Sequence, residues 1–389
     1  MFSSRTDWDF RPSPLFSLVL QKRARGEEVI DLTESNPTRC GFRYQPDQLI
    51  TPSALRNSVS YEPDPRGLLL ARQAIAGWYQ RQQISVDPSR IILSSGTSEA
   101  YSYLLRLLCN PGESIAVPRP GYPLLEYLGR LNDVKCHDYR LEYDGEWHID
   151  LPSLAEILSP ETKALVLVHP NNPTGSFVKL EERERILEMS KRQNIPLVVD
   201  EVFSAFPFEE DVRRAGSFAG TQNTLTFTLN GLSKFVGLPQ LKLAWIVVSG
   251  PDELCTNALQ RLEVIADTFL SVGTPVQLSL ETLLSDPAAM RGQILNRVLS
   301  NYKGLREVFP QGSPVSIFGC EGAWNAVLRL PATRTDEEWA QELLQVHGIL
   351  THPGLLFDFD LKSCVVVSLL PEPKTFSEGM KGILTAVRH

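Results

Sequence analysis

No apolar run in this sequence approaches the ~20 residues that a membrane-crossing helix needs. The apolar stretch at 15–20 is broken by Ser17 and runs into Lys22-Arg23, so it is too short and wrongly flanked for a secretory signal. An excess of positive charge is also missing. Lys and Arg number 38 against 46 Asp and Glu, a net charge of −8. That balance argues against a protein that coats nucleic acid or binds a membrane through a basic patch, and no helix-turn-helix segment is visible. The six cysteines, at 40, 109, 136, 255, 320 and 364, form no Cys-x-x-Cys, and the six histidines are equally scattered. No metal site and no disulfide framework are expected, and isolated thiols of this kind fit a reduced, cytoplasmic setting. Internal repeats and low-complexity blocks are missing as well.

What is present is the composition of an ordinary globular chain, 42% hydrophobic and 22% charged over 389 residues. At about 150 residues per unit that allows two or three units. The first 45 residues, rich in Arg, Pro and Ser, read as an arm that ends in a short strand at 29–32 and a turn-rich 34–38. A helix is predicted over 67–82, where Leu68, Leu69, Ala71, Ala74, Ile75, Trp78 and Tyr79 recur at three- and four-residue steps. Strands are predicted at 90–94, 114–118, 164–169, 196–200, 225–229 and 243–249, with helices at 98–108, 123–130 and 180–193 among them. The runs at 164–168 and 196–199 are apolar throughout, as strands buried on both faces are, so a mainly parallel sheet covered by helices follows. From 251 the pattern turns helical, with a long amphipathic stretch at 284–308. A smaller α+β region follows, with strands at 326–330 and 365–370 and helices at 336–346 and 377–387. The expected division is an arm at 1–45 packing with the smaller unit, a large unit at 46–285 and a small unit at 286–389.

Ligands of parallel sheets bind at the carboxyl ends of strands, and several of those ends carry polar groups here. Ser94-Ser95-Gly96-Thr97-Ser98 opens a helix with a glycine and two hydroxyls, a fit for an anion. His169-Pro170-Asn171-Asn172-Pro173-Thr174-Gly175 places amides after a buried strand, and Asp200-Glu201 places carboxylates after another. Asn230-Gly231-Leu232-Ser233-Lys234 puts a lysine in a tight turn between apolar segments, where burial makes an amine a nucleophile by lowering its pKa.

Taken together, Asn-Asn-Pro-Thr-Gly, then Asp-Glu-Val-Phe, then Leu-Ser-Lys-Phe-Val-Gly-Leu-Pro with Lys242 beyond closely resembles the fold-type I pyridoxal-phosphate enzymes of the aspartate aminotransferase superfamily, class I/II. Order and spacing match across about 30–370. The resemblance implies a large α/β domain with a mainly parallel seven-stranded sheet, a smaller α+β domain, and pyridoxal 5′-phosphate as cofactor. It implies that Lys234 forms the internal aldimine and that Asp200 pairs with the ring nitrogen. It gives Asn172 the ring's phenolate oxygen and Tyr122 the ring face. Gly96, Thr97 and Ser98, aided by Ser233 and Lys242, would hold the phosphate. Tyr61 would reach the phosphate of a neighbouring subunit, which implies a homodimer with shared sites. Ser35 and Asn36 fall where the family's substrate-lining loop begins.

Some positions depart from the family's pattern. Phe203 stands where a tyrosine often donates to the phenolate oxygen. Lys242 replaces an arginine, keeping the charge and losing the bidentate fork. Gly231 stands where a phosphate-binding serine is common. Val366 occupies the position of the arginine that clamps the substrate α-carboxylate; Arg39, Arg43 and Arg119 are candidates to replace it, Arg39 first. The expected activity is transfer of an amino group between an amino acid or amine and a 2-keto acid. A β-eliminating C–S lyase of the same fold is the alternative, and a ligand sensor fused to a DNA-binding module is a non-enzymatic one.

Overall fold

The computed structural model describes residues 1–45, 49–285 and 287–388. Its strands, in chain order, are β1 (Ile30–Asp31), β2 (Ile91–Ser94), β3 (Ser114–Arg119), β4 (Lys135–Tyr143), β5 (Trp147–Ile149), β6 (Thr162–Val168), β7 (Leu197–Asp200), β8 (Thr226–Gly231), β9 (Ala244–Ser249), β10 (Ser316–Ile317), β11 (Asn325–Arg329), β12 (Ile349–Leu350), β13 (His352–Pro353) and β14 (Cys364–Ser368). Among the described residues one sheet has eight strands in the order β2-β9-β8-β7-β6-β3-β4-β5. Its middle, from β8 to β4, is parallel, whereas β9 runs antiparallel to both of its neighbours. The sheet thus carries an eighth strand beyond the seven expected. The short β5 folds back on β4 as an antiparallel hairpin, and three residues are too few to show a period of their own.

The apolar runs lie where burial on both faces puts them. Val198 belongs to one core, shared with Ile92, Leu104, Val166 and Phe227, on one face of the sheet. Its neighbours Leu197 and Val199 pack with Leu165, Leu167 and Phe218 on the other. Alternate side chains of one strand serve two cores, so no polar alternation survives in the sequence. Because β3, β6, β7 and β8 are parallel, and two antiparallel steps return β2 to the same direction, their carboxyl ends all open on one edge.

A second, antiparallel sheet has the order β10-β11-β14-β13. Its core joins Trp324, Leu328, Val365 and Val367 to Ile294, Val298 and Leu305 of the helix Pro287–Val308 and to Met380 and Ile383 of the helix Pro373–Ala386. The N-terminal segment joins this part of the molecule: β1 pairs in parallel with β12, and Val19 packs with Leu344 and Leu350. Val19 belongs to the helix Pro14–Ala24, started by Ser13, whose hydroxyl accepts from the Phe16 N–H. That helix was not expected. Only Val19 of it is buried, so its apolar stripe is too narrow to read. The first residues go elsewhere, with Arg5 pairing with Asp133 and Arg130 Nη2 donating to the Ser4 carbonyl at 3.0 Å. The unit boundaries expected at 46 and 286 lie outside the described residues, as does residue 389.

The segment 320–325 ties the two sheets together. Glu321 N–H donates to Gly175 O at 3.3 Å, Phe208 N–H to Glu321 O at 2.9 Å, and Ala323 N–H to Phe206 O at 3.1 Å. The Glu321 carboxylate meets Lys179 and Arg214. Gly175 permits this approach. Its φ is +72°, and a Cβ there would press on Cys320 Sγ and lie 2.5 Å from Gly322 O. We expect Gly175→Ala to lower stability by about 2–4 kcal/mol, combining left-handed strain with a backbone clash. Denaturant melts measure it, and an unchanged midpoint would contradict this account of the junction.

Candidate active site

Asp200 is the last residue of β7, and Lys234 lies in the one-turn helix Leu232–Phe235 that follows the adjacent β8. Asp200 is 8% exposed. Its carboxylate accepts from the Tyr101 hydroxyl at 3.2 Å and from the Val202 N–H at 3.1 Å. Burial disfavours the charged form and raises its pKa to about 6, against the pull of those donors and of Lys234. Lys234 Nζ sits 5.4 Å from the centre of the Phe203 ring and 5.1 Å from that of Trp324. Burial lowers its pKa, with Asp200 opposing. A lysine so placed has more of the neutral amine that attacks carbonyl groups.

The two asparagines after β6 divide their work. Asn171 is buried and builds the loop: its Nδ2 donates to Pro120 O at 3.3 Å, and its Oδ1 accepts from Thr174 Oγ1 at 3.0 Å. Asn172 Oδ1 instead accepts from Asn325 Nδ2 at 2.8 Å, which leaves the Asn172 Nδ2 end to donate. Phe203 is buried edge-on against Trp324, ring centres 5.3 Å apart. Tyr122, after β3, is 47% exposed.

At the end of β2, Gly96 precedes the helix Thr97–Leu108, which has no side-chain N-cap hydrogen bond. Its first N–H groups and positive end therefore suit an anion. A Cβ on Gly96 would lie 3.5 Å from Lys242 Nζ, so the glycine keeps open the space in front of that ammonium. Thr97 and Ser233 are half-buried, and Ser98 and Lys242 are exposed.

The proposed substrate residues are less gathered. Ser35 is exposed, and Asn36 Oδ1 caps the Thr38 N–H at 3.1 Å. Arg39, its side chain 74% exposed, reaches Glu34 only at 3.9 Å. Arg119 is engaged by Asp138 at 3.6 Å, by Asp360 at 3.5 Å and by the Asp358 carbonyl at 2.9 Å. Val366 is wholly buried among Trp147, Phe318, Val327 and Phe357. Tyr61 is 77% exposed. Sequence reading missed Tyr101, Trp324 and Asn325. Tyr101 sits in a helix with the periodicity of a core residue, and the other two directly precede or open a strand, so none carries a local signal.

The donor set suits pyridoxal phosphate. An amine matches its aldehyde, a buried carboxylate its pyridine nitrogen, an amide its ring oxygen, and a helix start beside an ammonium its phosphate. The sequence profile described as aminotransferase class I and II matches residues 29–375, and the chain belongs to that family. It is therefore a pyridoxal-phosphate-dependent aminotransferase, acting on amino acids and keto acids. Glutamate-pyruvate aminotransferase of Haemophilus influenzae is 25% identical over 382 residues, 96% of this chain and 94% of that one. Human tyrosine aminotransferase is 25% identical over 398 residues, 95% of this chain and 86% of that one. The structure of alanine aminotransferase from Pyrococcus furiosus covers 100% of both chains with a TM-score of 0.89 at 22% identity, a likeness of fold.

Asp200 makes the cofactor-free protein pH-sensitive. A carboxyl whose pKa is raised on folding adds stability that is full below about 3.8 and lost as pH rises through about 6. Without cofactor, Asp200→Asn should therefore be more stable than the parent at pH 8 by about 3 kcal/mol, with the gap closing toward pH 4. Thermal melts at both pH values test this, and a gap independent of pH would contradict it.

Proposed function

We propose that Lys234 carries the cofactor and moves the reacting proton, that Asp200 faces the ring nitrogen, and that Asn172 donates to the ring oxygen. The observation that carries this reading is the Lys234 amine, half-enclosed by Phe203 and Trp324 with Asp200 next to it. Pyridoxal phosphate, when bound, supplies an electron sink for the pair left on the substrate's α-carbon. Lys234 Nζ, inclined to neutrality by burial, takes the proton from that carbon. Asp200, drawn into its charged form by a cationic N–H in front of it, holds the proton on the ring nitrogen. Tyr122 and Phe203 line the ring. Gly96, Thr97, Ser98, Ser233 and Lys242 hold the phosphate.

The same reading takes the chain as a homodimer in which Tyr61 completes a neighbouring site. The exposure of Tyr61, and of Val59, Leu69 and Leu70 near it in sequence, supports it. It divides the chain into an arm (1–45), a cofactor-binding unit (46–285) and a smaller unit (286–389), supported by the separate sheets. It assigns the protein to the cytoplasm, in keeping with free thiols at all six cysteines. Arg39 takes the substrate α-carboxylate. It is only loosely tethered, and its segment runs beside the end of β14, where the Ser368 N–H donates to Leu32 O at 2.7 Å.

Two measurements test these assignments. Borohydride treatment of the yellow protein should fix the cofactor to Lys234, and a label mapped to another lysine would overturn the reading. Arg39→Ala should raise KM for amino acids about ten-fold or more, the loss of a charge-assisted contact, and leave matched amines unaffected. Unchanged amino-acid kinetics would remove Arg39 from the site.

A further inference from the structure

Asn172 is held by a residue from the other sheet. Asn325, the first residue of β11, donates from Nδ2 to Asn172 Oδ1 at 2.8 Å across 153 positions of sequence. A primary amide has a donor end and an acceptor end on opposite sides of one carbon. Once Oδ1 is engaged, the orientation of the Nδ2 end is set as well. Both side chains are half-buried, so water competes only in part for the bond.

The donor is itself fixed in place. The preceding residues are anchored on the large-sheet side by the Glu321–Gly175, Phe208–Glu321 and Ala323–Phe206 backbone bonds and by the Lys179 and Arg214 contacts of Glu321. On the other side the Leu369 N–H donates to Trp324 O at 2.7 Å, and Asn325 pairs in register with Ser368. Trp324, one residue away, lies over Lys234 Nζ. The start of β11 therefore reaches two of the groups around the proposed cofactor position at once.

We propose that Asn325 is a positioning residue: it fixes the Asn172 amide with its N–H end toward the cofactor's ring oxygen. Phe203 brings no hydroxyl to the site, so this donor's aim matters more. The proposal rests on the reading of Asn172 as the ring-oxygen donor. A hydrogen bond to an oxygen favours the form in which that oxygen is most anionic, which here is the deprotonated cofactor. Losing the donor, or its aim, raises the pH at which the cofactor loses its proton.

The test is a pH titration of the visible absorbance of the cofactor-loaded protein, with the cofactor dissociation constant measured alongside. Asn172→Ala should raise the midpoint, and Asn325→Leu should raise it in the same direction by roughly half a unit to one unit. The double variant should match Asn172→Ala alone, because an aiming contact has no effect once its target is gone. Asn325→Ser, which removes the amide without adding apolar bulk, gives the same reading where the leucine variant fails to fold. An unmoved midpoint in both Asn325 variants, with Asn172→Ala shifted, overturns the proposal. So do shifts that simply add in the double variant. An unmoved midpoint in Asn172→Ala overturns the underlying assignment of Asn172 and the proposal with it.

Discussion

Asp200, buried, and Lys234, half-buried, are ionisable groups at the ends of adjacent strands, and the surrounding residues are arranged around the cost of withdrawing them from water. Burial pushes the carboxyl up and the amine down, and each charge partly restores the other. Such a pair needs fixed neighbours. Those come from the parallel register that sets Asp200 opposite Leu229 and from the Asn230 side chain. Asn230 Nδ2 donates to Glu201 O at 3.0 Å, and its Oδ1 accepts from the Gly231 N–H at 2.8 Å. The turn that leads to Lys234 is thereby stitched to the strand end that carries Asp200. Glu201 points away from the site, accepting from Ser217 Oγ and the Phe218 N–H, both at 2.7 Å. Adjacent carboxyls on one strand end have separate surroundings.

Legibility in the sequence follows the range of the interaction that defines each residue. Lys234, Asp200, Asn172 and Gly96 sit at strand ends within short motifs, and the parallel sheet converts those ends into one edge. The order of motifs along the chain is then enough to gather them. Trp324, Asn325 and Tyr101 join the site through tertiary contacts that no local pattern announces. Tyr101 looks like one more core residue of its helix, and its hydroxyl bond to Asp200 spans 99 positions. The helix Pro14–Ala24 escaped because it buries a single side chain, and β5 because a three-residue strand shows no period.

The loop motif Asn-Asn-Pro-Thr-Gly has its own internal logic. Asn171 and Thr174 satisfy one another's polar groups and shape the turn, which frees Asn172 to face outward. Gly175 then lets the segment 320–325 lie against the turn. A substitution at the glycine would reach the candidate site by moving the segment that carries Trp324 and Asn325, without touching Lys234 or Asp200.

The valine at 366 is best understood through its strand. Residues alternate along β14, so Val365 and Val367 join the core shared with Trp324 and Phe203, while Val366 turns to Trp147, Phe318 and Phe357. In register it lies opposite Val327 and His352. An arginine there would be buried among aromatic rings, and an unpaired buried cation costs several kcal/mol. The surrounding aromatic side chains and the valine are thus mutually consistent, and the chain has committed that wall to apolar packing. A carboxylate arriving at the site must then find its charge partner elsewhere. In the proposed reading the arm provides one. It hydrogen-bonds to the end of β14 through Leu32 and then leaves the sheet with an exposed arginine seven residues later, which meets Glu34 at 3.9 Å. Such a guanidinium loses little by turning to a better-matched carboxylate, whereas Arg119 would first have to leave its two aspartates.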